Sequence, residues 1–335
     1  MKKSATIKDV AQLSGFGISV VSYVLNNTPN ISVKPETRER ILKAAAELNY
    51  TPNTIARNMR KGTPRAIGIL SSWDIADMSE ILNDLLSFAN DRMYSVVLCP
   101  YSKERCFDYV TLFQSKVIGG LILIPPSSDN DWFHLSEHID AVTKNGIPTV
   151  LISGRKPEHD ISRIVFNYRS SAFAAVKYLM GLNHRKIAFV GSETPDQKAQ
   201  YVQNRIEAYE ESMYDNGLES KIIPFSKLNQ FFESLKTGHA PTALITAKAE
   251  TAHLILYEAY NRNLRIPDSF SIISCNYSSR NLYSEPHLTS VAVDVGNPGT
   301  VAAKILFSHI EDPDAKNEQV ILPCEIREGN SCKML

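Results

Sequence analysis

Apolar positions along the chain keep two different rhythms. Through the first sixty or so residues they recur at helical spacing. In "TIKDVAQLS" Ile7, Val10 and Ala11 form one stripe, with Thr6 placed to cap the helix and Asp9 three residues on. In "GFGISVVSYVLNN", from Gly15 to Asn27, the inward stripe is Val21, Val24 and Leu25, which leaves Ile18, Ser19 and Tyr23 on the opposite face. Pro35 suits the first turn of a third helix, with Ile41, Leu42, Ala45 and Leu48 as its stripe. Two short helices meeting at a glycine-containing turn predict a helix-turn-helix unit over residues 1–50. In such a unit the second helix enters the major groove, and the outward trio would read base edges. Tyr23 also suits packing against sugar-phosphate.

From Thr63 the rhythm changes to short β-branched runs alternating with amphipathic helices. "AIGIL", "YSVVLCP", "VIGGLILIP" and "IPTVLIS" read as strands with helices between them. The alternation restarts at "RIVFN" and continues through "KIAFVGS", "SKIIPFS", "TALIT" and "SIISCNY". Strands of this kind mean parallel sheets buried on both faces. Two rounds predict two doubly wound lobes with a ligand cleft at their strand C-termini. The expected division is residues 63–165 and 291–322 in the first lobe, and 166–290 and 323–335 in the second. The last piece, "LTSVAVD" plus helix "PGTVAAKILFSHIED", is expected to return to the first lobe.

Charge sharpens this division. Residues 1–62 carry ten Lys and Arg against four acids, a net of +6; the whole chain of 335 residues is neutral, so the remainder carries −6. A basic head on an acidic body fits a polyanion-binding module. Between them, residues 51–62 hold "NTIARNMRKG", too short for a stable isolated helix. Arg57, Arg60 and Lys61 beside Ile55, Ala56 and Met59 suit a hinge helix that orders in a minor groove with Met59 as the apolar wedge. A linker whose Met59 packs on a neighbour fits equally.

Composition narrows the rest. Cys99, Cys106, Cys275, Cys324 and Cys332 form no CxxC pair and read as reduced thiols of a cytoplasmic protein. "MKKSATIKDV" lacks the apolar run of a signal peptide, and "VIGGLILIPP" is too short for a membrane span. No dinucleotide or phosphate-loop glycine motif, metal-ligand spacing or nucleophile elbow is present, so neither an enzyme nor a metal or other cofactor is expected. His184 in "LNHRKIAF" reads as a helix C-terminal residue complementing the dipole. A free-standing small-molecule-binding protein would explain the lobes but leave the basic head without a use.

The chain resembles the LacI/GalR-type transcriptional regulators over essentially its whole length. The residues that carry the resemblance include "TIKDVAQLSG", "VSYVLNN", "TRERILKAAAELNYTPN", "IARNMRKG", "HRKIAFVG", "RIEAY" and "LRIPDSFSII". It implies a helix-turn-helix head with hinge helix, a periplasmic-binding-protein-like core, a homodimer on a pseudo-palindromic double-stranded operator, and an effector in the interlobe cleft that changes DNA affinity. Carried onto this sequence, the base readers are Ile18, Ser19 and Tyr23. Thr6, Ser22, Asn26, Ser32 and Thr37 match phosphate-contacting positions, and Tyr50, Asn53 and Ala56 match head and hinge positions near the backbone. Met59 stands where the wedge is usually Leu. Gly17 replaces the usual Ser or Thr cap of the reader helix, and Tyr23 occupies a frequent Arg position, which removes the usual bidentate contact to guanine.

The effector positions depart further. Ser153 replaces an aspartate, closely followed by Arg155; Lys248-Ala249 replaces an Asn-Asp pair; Asn276 replaces an aspartate; and Val293 stands where Gln is common. Arg205 of "RIEAY" is unchanged. Carboxylates are lost while cations stay or are added, which favours an anionic effector such as a sugar phosphate or a carboxylate over a neutral sugar. Lys248 facing solvent or pairing with Asp74, and control by a protein partner in place of a ligand, remain the alternatives. Trp73, after the first strand, suits stacking on a ligand ring or anchoring the lobes.

Overall fold

The computed structural model describes residues 5–25, 31–50, 64–71, 78–100, 108–125, 129–152, 159–191 and 199–335. The chain divides into two compact units, Met1–Pro64 and Arg65–Leu335.

The described residues of the first unit form three helices, α1 (Ile7–Ser14), α2 (Ile18–Leu25) and α3 (Pro35–Glu47). Val10, Val21, Val24, Ile41, Ala44 and Ala45 are buried together as its core. The expected cap is present at α1: the Asp9 carboxylate accepts from the Thr6 backbone N–H at 2.7 Å and from its hydroxyl at 2.8 Å. Gly15 ends α1 at φ +78°, a left-handed conformation that costs glycine nothing, and its N–H returns to the Ala11 carbonyl. The hinge expected over residues 51–62 lies outside the described residues.

The second unit holds two six-stranded sheets. Along the chain come β1 (Ala66–Ser71), α4 (Ser79–Asp91), β2 (Ser95–Pro100), α5 (Asp108–Gln114), β3 (Leu121–Ile124), α6 (Asp129–Lys144), β4 (Thr149–Ile152) and β5 (Ser162–Phe166). Next are α7 (Tyr168–Gly181), β6 (Ile187–Gly191), α8 (Gln200–Asp215), β7 (Ile222–Pro224), α9 (Leu228–Leu235), β8 (Ala243–Thr246), α10 (Ala249–Asn261) and β9 (Ser271–Ser274). The chain ends with β10 (Thr289–Ala292), α11 (Pro298–Glu311), β11 (Gln319–Leu322) and β12 (Glu325–Arg327). The first sheet runs β11-β5-β4-β3-β1-β2 with every pairing parallel. The second runs β12-β10-β9-β8-β6-β7, and only its edge strand β12 pairs antiparallel. Residues of β1, β3, β4, β6, β8 and β9 are almost all buried, as two-faced coverage requires.

The chain crosses between the lobes after β5, after β10 and between β11 and β12. The second crossing corrects one expectation. "LTSVAVD" does not return to the first lobe: β10 stays in the second sheet, and only α11 returns, packing on α4. Val291 belongs to the second lobe's core and Val293 to the first's. An all-buried apolar run carries no mark of which sheet it joins, so the sequence pattern could not place this boundary. At the α4–α11 contact the helices approach closely enough that a Cβ on Gly299 would lie 2.2 Å from the Ile81 carbonyl oxygen.

His184 also departs from expectation. It lies beyond the end of α7, fully buried, and its ring nitrogens meet Thr242 Oγ1 at 2.8 Å, Ser271 Oγ at 3.0 Å and the Lys333 carbonyl at 3.1 Å. Burial holds its pKa below the ordinary value, so the ring ties the C-terminal segment to the second sheet as a neutral group and not as a dipole-complementing cation.

Candidate functional site

On the head, helix α2 presents the expected outward side. Val21 and Val24 are buried, whereas Ile18 is 46% exposed, Tyr23 40% exposed, and Ser19 exposed. An apolar side chain held out at the start of a helix, beside a hydroxyl and a phenol, offers a methyl-sized contact and two hydrogen-bonding groups to a groove floor. Thr6 and Ser32 are exposed, and Ser22, Thr37 and Tyr50 are half-buried, so these hydroxyls border the same unit. Asn26, Asn53, Ala56 and Met59 lie outside the described residues.

The second candidate site gathers at the C-terminal edge of the second sheet, where α/β folds place ligands. Its centre is Arg205, near the start of α8 and 1% exposed. Its Nε donates to Ser171 Oγ at 3.1 Å and its Nη2 to the Cys275 carbonyl at 2.7 Å. The guanidinium carbon stands 4.7 Å from the Tyr168 ring centroid and 5.6 Å from that of Tyr201. Among the described residues no carboxylate pairs with it. Lys248, the last residue before α10, brings its ammonium 5.5 Å from the Tyr201 ring. One aromatic ring therefore carries two cations, and Tyr168 and Tyr201 lie 5.7 Å apart.

Burial sets the protonation of this wall. The Tyr168 hydroxyl is pushed up to about 12, with the Arg205 charge pulling the other way, so the phenol stays neutral. The Cys275 thiol is also pushed up to about 12 by burial, against the pull of Arg205. Asn276 is half-buried and engaged locally, its N–H donating to Ser274 Oγ at 3.2 Å and its Nδ2 to the Tyr277 carbonyl at 3.1 Å. The structure thus brings Arg205, Lys248 and Asn276 to one edge. Trp73, Ser153 and Arg155, with Asp74, lie outside the described residues.

Tyr168, Tyr201 and Ser171 belong to this wall and were not singled out from the sequence. A signal for two of them was available. Tyr201 precedes Arg205 by four residues on one helix, the spacing that stacks side chains, and Tyr168 opens the helix after a strand. Among the described residues there is no cluster of three metal-ligating side chains, and no helix is long and apolar enough to cross a membrane.

Residues 6–53 match the family described as bacterial regulatory proteins, lacI family, and residues 176–332 match the periplasmic binding protein-like domain. The chain belongs to the LacI family. It is a DNA-binding transcriptional repressor and not an enzyme. Catabolite control protein A of Priestia megaterium is 25% identical, across 98% of this chain and all 100% of that protein. The HTH-type transcriptional repressor PurR of Vibrio atlanticus is 27% identical, across 99% of both. The lac repressor dimer bound to operator and the anti-inducer ONPF shares the fold with a TM-score of 0.76 at 23% identity, covering 98% of this chain and 99% of that one. The regulator CelR in its cellobiose complex superposes with a TM-score of 0.65 at 20% identity, covering 98% of this chain and 100% of that one.

Proposed function

We propose that this repressor acts as a homodimer on a pseudo-palindromic operator, with Ile18, Ser19 and Tyr23 as base readers, and that an anionic effector in the interlobe cleft controls its affinity. Ile18 suits a thymine methyl, and Ser19 and Tyr23 suit hydrogen bonds to base edges; without Arg on this face the bidentate guanine contact is missing. Thr6, Ser22, Asn26, Ser32, Thr37, Tyr50, Asn53 and Ala56 take the positions along the backbone, and Met59 that of the minor-groove wedge. For the dimer, Leu254 and Tyr257 on α10 and Leu282 and Tyr283 on the turn after β9 supply an exposed apolar face.

One observation carries the effector half. Arg205 is a buried guanidinium with no carboxylate partner among the described residues, and only two of its donors are occupied by described groups. Buried charges are ordinarily paired, so an anion at this edge would supply the missing partner, with Lys248 as a second cation. A neutral polyol would satisfy hydrogen bonds but leave the charge.

Thermal unfolding of the purified protein against neutral sugars, sugar phosphates and small carboxylates tests this, with Lys248→Ala as control. A ligand at about a hundred times its dissociation constant adds about 2.7 kcal/mol. Stabilisation by an anion, weakened in Lys248→Ala, is expected. Stabilisation by neutral sugars alone overturns the anionic reading, and silence across the whole panel favours control by a protein partner.

A further inference from the structure

The reader helix starts without a side-chain cap, because Gly17 has no side chain to offer. Its first turn nevertheless carries Ile18 and Ser19, whose placement decides base contact. Something else must hold that turn. Arg40 projects from α3 next to the core residue Ile41 and reaches both sides of the Gly15 turn. Its Nη2 donates to the Ser14 carbonyl at 3.1 Å, the last residue of α1, and its guanidinium carbon lies 4.9 Å from the Phe16 ring centroid. Phe16 itself packs on the head's core.

We infer that Arg40 is a positioning residue for base recognition: by clamping Ser14 and Phe16 from α3 it fixes where the uncapped start of α2 sits. The inference rests on the reading that Ile18, Ser19 and Tyr23 meet base edges. The physics is specific to arginine. A cation at a helix C-terminus is favourable for any basic residue, since it meets the unsatisfied carbonyls there. A planar guanidinium adds a stack on an aromatic face that a lysine ammonium does not reproduce. Gly17 leaves room for the missing cap, because a Cβ there meets nothing within 4 Å. The clamp and a cap are therefore exchangeable devices for the same turn.

The test uses the full-length protein, the operator it selects from a random duplex library, and a scrambled duplex of the same composition, at two salt concentrations. Arg40→Lys is expected to lower operator affinity about ten-fold while leaving scrambled-duplex affinity and the salt slope unchanged. Phe16→Leu should give a similar loss, and the double variant little beyond either alone. Gly17→Ser in the Arg40→Lys background should recover part of the loss, a rescue that a phosphate contact would not show. Circular dichroism and unchanged scrambled-duplex binding establish that the variants are folded. Unaltered operator affinity in Arg40→Lys overturns the inference. So does an Arg40→Met variant that weakens both duplexes equally and flattens the salt slope beside a normal Arg40→Lys, the pattern of a phosphate contact. Failure of the wild type to select any sequence overturns the base-reading assignment beneath it.

Discussion

The head and the second lobe's sheet edge solve opposite problems with side chains that break the usual rules of burial. On the head, an isoleucine and a tyrosine stand out in solvent above a six-residue buried core. At the sheet edge, an arginine is buried with two hydrogen bonds and two aromatic rings but no described acid. Exposed apolar groups are cheap to leave in water and become useful when a groove with methyl groups covers them. A buried guanidinium is costly unless hydrogen bonds and a counter-charge offset its desolvation. On the proposed function, the head would use surface left over after the core is filled, and the sheet edge would use charge left over after packing is complete.

The largest effect should come from removing that charge. Arg205→Lys keeps a cation but gives up the fork that reaches Ser171 and Cys275. For whichever anion stabilises the wild type, the affinity should fall about 100-fold, read as loss of the thermal shift. Operator binding without effector should stay within about two-fold of wild type, since the two sites lie in separate units. An undiminished thermal shift in this variant would break the comparison, because the buried cation would then be structural.

On the head the corresponding losses should be smaller. Ile18→Ala and Tyr23→Phe are each expected to weaken binding to the selected operator about ten-fold, with little change on scrambled duplex. If Tyr23→Phe weakens both duplexes alike, Tyr23 packs against sugar-phosphate and only Ile18 and Ser19 read bases.

The same contrast explains what was legible in the sequence. The head's outward trio and most of its core follow from helical periodicity, which assigns each residue a face without reference to distant parts of the chain; Leu42, expected in the α3 stripe, is instead exposed and Ala44 is buried. The two parallel sheets were legible as rhythm, because strands buried on both faces read as apolar runs. Their allegiance was not: "LTSVAVD" looks the same whichever sheet receives it, and β10 remained with β9. At the ligand edge, Arg205 and Lys248 were legible only through resemblance. Tyr201 shares a helix with Arg205 at a spacing of four, but Tyr168 and Ser171 come from the preceding helix, and only the packing of α7 on α8 brings them to Arg205. His184 failed for a related reason. Its position after a helix suggested a dipole role, but its partners Thr242, Ser271 and Lys333 lie at least 58 positions away.

His184 also supplies a buried polar group whose partners are complete, a control for Arg205. Removing it should cost stability and not function. His184→Ala leaves Thr242 and Ser271 without the ring, at a cost of about 1–3 kcal/mol and a fall in Tm of several degrees. Because burial lowers its pKa, the ring's contribution is present above the ordinary value of 6.5 and is lost as pH falls through the folded-state value. The Tm gap between wild type and His184→Ala should therefore narrow below pH 6.5. A gap that stays constant with pH would mean that packing, and not the neutral ring's hydrogen bonds, holds the C-terminal segment.

The smallest effect concerns a half-buried charge with neighbours of both signs. Asp294 follows β10 at the crossing between lobes, and burial pushes its carboxyl above the ordinary range. A backbone hydrogen bond and the Arg327 charge pull it down, and Asp84 pushes it further up. Glu80 is raised as well, first by burial and then by Asp294. A carboxyl whose folded pKa lies above its unfolded value favours the fold when protonated, and that contribution is lost as pH rises through the folded value. At neutral pH the ionised Asp294 therefore works against stability despite Arg327. Asp294→Asn should raise Tm at neutral pH, and the gain should shrink as the pH is lowered through the raised pKa of the wild-type carboxyl. A lower Tm at neutral pH would show that Arg327 and the backbone N–H outweigh burial. In that case a nearby opposite charge suffices to hold a buried ion at this lobe junction, and Arg205, which has no carboxylate partner among the described residues, would differ from it all the more sharply.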